Sequence, residues 1–392
     1  MPRFSRASVS DSMTPMMRGK SGTRVVLVTG FPTSFLAARM VRKILDEEPR
    51  TELRCIVQEK FAARAQELLA ELPAAQRSRA RMLEGDVASM DLGLSGPEFL
   101  ELAAELDVIH HCAAATYLGV ERDVAERLNV EGVREVLELA SEAAHLERLV
   151  HWSSALVSGS RRGVVREDEL ERGRFRNVVE ETRARGERLM RDAASRLPIT
   201  ILRPSILVGD SGTGEIDRFE GPYLLIMLML SAPVDLRVPL PGSGDISLNL
   251  VPIDYVVDAG WVIARDPRSV GRTFHLVDPH PATAREVFEL IARAAGRPSP
   301  RGSVPTNLAT ALLRTPGLER FANVPRAFLE QLATEVTYDD RGARELLGQS
   351  GPTCPRFATY AEAMVEFVRR QQTERKARRN VREAEAEADP LA

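Results

Sequence analysis

Short apolar runs alternate along the first half of the chain with segments whose apolar residues recur at helical spacing. Arg24–Thr29 (RVVLVT) is β-branched and apolar and ends at Gly30, which predicts a buried first strand. Phe35–Leu45 has helical spacing and stops before Pro49. Further strands are predicted over Leu53–Val57, Ala80–Leu83, Val108–Cys112, Leu149–Ser153 and Ile199–Leu202, with helices over 61–72, 127–147 and 180–195. Strand alternating with helix predicts an α/β fold with parallel pairing and right-handed crossovers. Ligands of such doubly wound sheets sit beyond the C-terminal ends of the strands.

The rhythm changes near residue 205. A Gly-rich stretch leads into the apolar segment Leu224–Leu230, and 251–262 and 273–276 read as returns to the sheet. Residues 303–348 read as mostly helical with Pro breaks. The expected organisation is a disordered leader over 1–23, a first domain over 24–205, a smaller substrate-side subdomain over 206–370 and a charged, solvated tail over 371–392.

Composition narrows the classes. The chain has 392 residues, 44% hydrophobic and 28% charged, ordinary for a globular protein. A net charge of −3 gives no general attraction to nucleic acid or acidic membranes. The apolar segment at 224–230 is far short of the ~20 residues needed to span a bilayer. Cys55, Cys112 and Cys354 lack metal-ligand spacing, no histidine pair has it either, and a reducing, cytoplasmic setting is expected. Only four of the 53 basic residues are lysine, and none lies between 61 and 375.

Several motifs follow one another in order: Val28-Thr-Gly-Phe-Pro32, Gly85-Asp86 with Asp91-Leu-Gly-Leu-Ser95, His111-Cys-Ala-Ala114, Asn129-Val-Glu-Gly132, Ser153-Ser154, Arg203-Pro-Ser-Ile-Leu-Val-Gly-Asp210 and Val251-Pro-Ile-Asp-Tyr255. Together they resemble the extended short-chain dehydrogenase/reductases, nearest to the branch of thioester reductase domains and fatty acyl-CoA reductases. The resemblance covers roughly 24–368. It implies a Rossmann-type sheet, NADP as cofactor with NAD left open, and a small-molecule substrate of acyl or lipid-like character. Gly221–Leu230 falls in the part that closes over substrate in that family, where Met and Leu would suit an acyl chain; a plain core helix is the competing reading. Oligomeric state stays open.

The resemblance places the dinucleotide at the first turn, Gly30, Phe31, Pro32, Thr33 and Ser34. The family's second and third glycines become Ser34 and Ala37 here when one residue is inserted, and Ala37 is small enough for close helix–strand packing. Gln58 and Lys60 follow the second strand, where a neutral or basic group favours NADP over NAD. Lys60 as a plain surface residue is the competing reading. Asp86 and Val87 match the adenine-contacting positions, Ala113 and Ala114 the small residues under the cofactor, and Pro204 and Ser205 the segment beside the nicotinamide amide.

The departure from the family lies in the proton-transfer motif. Ser154 matches the serine that holds the carbonyl oxygen; a strand-end serine bonded to backbone is the alternative. The expected Tyr-x-x-x-Lys reads Val179-x-x-x-Arg183. Valine carries no proton, and arginine binds ribose hydroxyls but stays charged. Tyr117, after the fourth strand, is the candidate substitute acid, though such a tyrosine more often just lines a pocket. Two readings follow: an NAD(P)-dependent oxidoreductase with weakened or unconventional proton transfer, or an impaired pseudoenzyme that binds nucleotide or acyl ligand for regulation or scaffolding.

Overall fold

A computed structural model describes residues 23–117, 119–231, 233, 240–241, 243–304 and 335–388. The expected leader, apart from Thr23, and most of the helical region expected within 303–348 lie outside these residues. Seven parallel strands form the central sheet: β1 (Arg24–Thr29), β2 (Thr51–Val57), β3 (Ala80–Glu84), β4 (Val108–His111), β5 (Arg148–Trp152), β6 (Ile199–Pro204) and β7 (Thr273–Leu276). Their order is β7-β6-β5-β4-β1-β2-β3, so the chain reverses direction across the sheet between β1 and β4. That reversal opens a crevice at the strands' C-terminal ends.

Both faces are covered, which is why the strands read as continuous apolar runs rather than alternating ones. Helix α1 (Phe35–Glu47) buries Leu36, Ala37, Met40, Val41 and Ile44 on one face, next to α2 (Ala62–Ala70). On the other face lie α3 (Gly96–Glu105), α4 (Gly132–Glu142) and α5 (Val178–Ala193). A separate core joins α6 (Pro222–Ser231), α8 (Ala284–Ala294) and α10 (Phe357–Ala388) in the C-terminal part.

One expected return to the sheet is corrected. Residues 250–252 pair only with a short strand at 206–208, and α7 (Ile253–Arg265) follows immediately. Ile253, Val256, Val257, Gly260, Ile263 and Ala264 bury a helical stripe, so the period is 3.6 and not 2. The return over 273–276 does join the sheet, against β6. The helix expected over 127–147 starts earlier, at Arg122, and passes through a π turn at Arg127–Glu131. The expected tail, as far as Ala388, continues α10.

Glu167 ties β7 to the short helix α9 (Arg341–Leu347). Its carboxylate accepts from His275 N at 3.0 Å, Gly342 N at 2.9 Å and Ala343 N at 3.1 Å. Burial pushes its carboxyl up despite those three donors. Glu167→Gln keeps the shape but spoils the acceptor set, and is expected to cost about 1–3 kcal/mol. A lower denaturant midpoint with unchanged m-value checks this.

Candidate active site

The crevice is a cleft of about 540 Å³, within the range of small-molecule sites. It runs from the turn after β1, past β4, to the ends of β5 and β6. Gly30 has φ +88°, and a Cβ there would lie 2.8 Å from Ala113 N, so only glycine lets β1 and β4 close on each other. Ser34 caps α1 by accepting from Ala37 N at 3.2 Å, and Thr33 Oγ1 donates to Gly30 O at 3.2 Å. The Thr33 hydroxyl proton is spent within the turn, while Ser34 Oγ accepts and keeps its own proton, beside the N-terminus of α1.

The structure brings Gly30, Phe31, Thr33, Ser34, Gln58, Val87, Ala113, Ala114, Tyr117, Ser154, Val179, Arg183, Pro204 and Ser205 to this cleft. Three expected contacts fall outside its lining. Pro32 is in the turn but not on the wall, Lys60 places its ammonium over the Phe61 ring at 5.0 Å, and Asp86 pairs with Arg127 and accepts from Ala88 N at 3.1 Å. A linear motif marks the turn after a strand; which side of the turn meets a ligand is decided by backbone geometry.

Beneath the cleft, α5 stands on a buried charge cluster. Glu187 and Arg203 are 0% and 1% exposed. Arg203 donates to both Glu187 oxygens, at 2.9 and 2.6 Å, Arg191 Nε adds 2.8 Å and Ser153 Oγ 2.6 Å. Burial opposes ionisation of Glu187, but the arginines win and hold its carboxyl down at about 2. Asn129, in the π turn, holds the loop after β4 through Ala115 N at 2.8 Å and Ala115 O at 3.2 Å and reaches Thr182 of α5 at 2.9 Å. A Cβ on Gly186 would collide with Asn129 O, so a glycine permits that crossing.

At the reactive end, α5 turns Val179 and Arg183 toward the cleft one helical turn apart. Val179 is 5% exposed. Arg183 Nη2 donates to Trp152 O at 2.9 Å and its Nε has no partner. Burial lowers this guanidinium to about 10, so it stays charged at neutral pH. Ser154 Oγ accepts from Leu156 N at 3.2 Å and meets Pro204 O only at 3.5 Å. It is both a strand-end cap and a cleft residue.

Among the described residues, Tyr117 is the one tyrosine on the cleft wall. It is exposed, folds over Gly119 and lies under Arg218 at 5.8 Å, at the mouth. Tyr223 and Tyr360 spend their hydroxyls on Gly214 O and Leu250 O, and Tyr338 meets Ser158 at 3.4 Å. Tyr255 is buried in the α1 and α7 core. Of the segment Gly221–Leu230, only Gly221 lines the cleft; α6 buries Tyr223, Leu225, Ile226 and Met229 in the C-terminal core.

Sequence reasoning missed Glu187, the loop residues Asp217, Arg218 and Glu220 at the mouth, and the role of Asn129. Glu187 stands four residues after Arg183 and four before Arg191. That spacing was the available signal. The mouth residues carry none, because a distant loop brings them in. Among the described residues no helix is long and apolar enough to cross a membrane, and no group of three or more His, Cys, Asp or Glu could hold a metal ion.

A family profile described as male sterility protein matches residues 28–260. A linear gramicidin synthase polypeptide of Brevibacillus parabrevis is 29% identical over 284 residues, 69% of this chain and 5% of that protein. Glycine betaine reductase ATRR of Emericella nidulans is 26% identical, over 68% of this chain and 22% of its own. Fatty acyl-CoA reductase wat of Drosophila melanogaster is 27% identical, over 48% and 43%. The match thus spans less than half the length of each of these relatives. Among solved structures, the terminal R domain from the myxalamid PKS-NRPS biosynthetic pathway superposes with a TM-score of 0.76 at 24% identity, covering 91% of this chain and 92% of that one. UDP-glucuronic acid 4-epimerase from Bacillus cereus, solved with NAD, gives 0.64 at 19% identity, covering 88% and 96%.

Proposed function

Since the chain belongs to the male sterility protein family, an NAD(P)-binding reductase family related to fatty acyl-CoA and thioester reductases, we propose that it binds NADP in this cleft and reduces a lipid-like acyl thioester. The observation that carries the reading is the continuity of the cleft. A glycine turn at the N-terminus of α1 leads past Ala113 and Ala114 to Ser154, Val179 and Arg183 without a break. The turn would hold the diphosphate, and the two alanines would lie beneath the sugar. The dinucleotide supplies hydride chemistry when bound; the chain supplies orientation and charge. Gln58, on the wall after β2, brings no carboxylate against a 2′-phosphate.

Val120, Val124, Leu128, Leu156 and Ile206 add apolar wall to the cleft, which suits an acyl chain. Val179 favours the second reading, a binder of nucleotide and acyl groups without turnover. Thermal unfolding with NADPH, NADH and decanoyl-CoA tests both. Melting is expected to rise with NADPH more than with NADH, by the equivalent of about 2.7 kcal/mol at a hundredfold excess over Kd. No shift with either nucleotide would refute the dinucleotide assignment. NADPH oxidation driven by decanoyl-CoA, and lost in Ser154→Ala, separates the reductase from the silent binder.

A further inference from the structure

Arg183 is a cation at the cleft wall on which the Glu187 carboxylate acts only from beyond ion-pair distance. Among the described residues no carboxylate lies within ion-pair distance of it, its guanidinium donates to Trp152 O, and Nε has no partner. Glu187, one turn further along α5, is spent: its two oxygens already take Arg203 twice, Arg191 and Ser153. Glu180, beside Val179, is spent on Arg176, whose backbone N and Nε donate to it at 3.0 and 2.9 Å. A part-buried guanidinium left this way gains strongly from an anionic oxygen in its fork. Ser154 borders the same wall, and its hydroxyl contact to Pro204 O, at 3.5 Å, is at the limit of a hydrogen bond. That proton is free to turn to a ligand. Where a phenol would stand, Val179 presents only methyl groups.

We propose that Arg183 and Ser154 form an oxyanion-binding corner, and that this corner lets the protein reduce a thioester to an aldehyde and stop there. The inference rests on the reductase reading above and deepens it. Hydride from the reduced dinucleotide adds to the thioester carbonyl carbon, and the C=O π pair moves to oxygen. The oxyanion, held by Arg183 and Ser154, re-forms the carbonyl as the C–S bond breaks. Sulfur leaves with the bonding pair as thiolate and takes a proton from water. Thioester, reduced dinucleotide and one proton give aldehyde, thiol and oxidised dinucleotide. No step puts a proton on the carbonyl oxygen, so no phenol is needed. An aldehyde is different: after hydride addition its alkoxide has no leaving group, so hydride returns to the oxidised dinucleotide unless a positioned acid traps the alkoxide, and neither Val179 nor Arg183 is such an acid.

The test uses the full chain and decanoate, whose carboxylate stands in for the oxyanion, with 1-decanol as the uncharged control. Calorimetry is expected to show decanoate binding weakened about tenfold or more in Arg183→Met and by a smaller factor in Arg183→Lys, which keeps the charge and loses the fork. Binding of 1-decanol is expected to be unchanged. An NADPH-induced rise in melting temperature confirms that each variant is folded; if the methionine variant is not, the lysine variant carries the comparison. With decanoyl-CoA and NADPH the unmodified protein is expected to release decanal and no decanol. Equal decanoate affinity with and without Arg183, decanol as product, or no decanal at all would overturn the inference. Absence of any NADPH effect on melting would instead show that the reading beneath it has failed.

Discussion

Val179→Tyr combined with Arg183→Lys is expected to raise NADPH-dependent reduction of decanal by about 10²–10⁴-fold over the unmodified chain, the usual worth of a positioned general acid. The two positions are four apart on α5 and face the cleft together, so a phenol and an ammonium placed there share one wall. Val179, only 5% exposed, lines the cleft wall. The double change matters. A phenol alone keeps a pKa near 10, and a nearby ammonium pulls it down toward working pH. Arg183→Lys alone supplies no acid and is expected to give no gain. Decanal consumption followed through nicotinamide absorbance checks the result. If the unmodified chain already reduces decanal as fast as the double variant, Val179 is not the gap it is taken to be.

Much of the scaffold behind this prediction was legible in the sequence. Runs such as Arg24–Thr29 are apolar on nearly every residue because helices cover both sheet faces, and such runs cannot be mistaken for surface. Gly30 was legible because φ +88° beside Ala113 leaves no alternative residue. The segment from 251 misled because Val251-Pro-Ile begins as a strand, yet Val256, Val257, Gly260 and Ile263 bury a helical face immediately afterwards. Leu224–Leu230 fitted a substrate wall because it is apolar all round, and that same property puts it in a core. The chemistry of Arg183 was half legible. Its identity excluded proton relay, but the absence of an ion-pair partner depends on Glu187 and Glu180 being bonded elsewhere, which spacing alone does not reveal.

Acid is expected to unfold the protein well above the pH of ordinary carboxylate titration. Four imidazoles are buried neutral. Burial pushes His110 down to about 3, His151 and His275 down to about 4, and His111 well below its ordinary range. Hydrogen bonds agree with the neutral forms. His110 Nδ1 accepts from Trp152 Nε1 at 3.4 Å, and His275 accepts from Arg203 at 3.3 Å while donating to Asp339 O at 2.8 Å. A second proton on His275 would face the Arg203 cation. His111 and His151 stack at 5.4 Å, so charging either one disfavours charging the other.

The sign follows from the depressed folded values. Above about pH 6.5 both folded and unfolded imidazoles are neutral and contribute nothing. As pH falls below 6.5 the unfolded chain binds protons that the folded chain refuses, so stability is lost, down to about pH 4 for His151 and His275. The loss is about 1.4 kcal/mol per pH unit for each group, or roughly 2 kcal/mol each at pH 5. His110, His151 and His275 together approach ~6 kcal/mol, comparable with the whole stability of a typical domain, and His111 acts in the same direction. The raised carboxyls of Glu167 and Glu180 act in the opposite sense, binding protons more readily when folded. Denaturant midpoints at pH 7.5, 6 and 5 (test conditions, roughly spanning the window) are expected to fall steadily. A flat profile would mean that these imidazoles reach water or a counter-charge.

A crystal structure of the full chain with NADPH tests the central claim most directly. The account predicts the diphosphate at the Gly30 turn and the nicotinamide ring between Ser154 and Pro204, with the Val179 side chain, and no tyrosine hydroxyl, beside its reactive face. Tyr117 or any other phenol swung in beside Ser154, or a dinucleotide bound elsewhere on the surface, would contradict it.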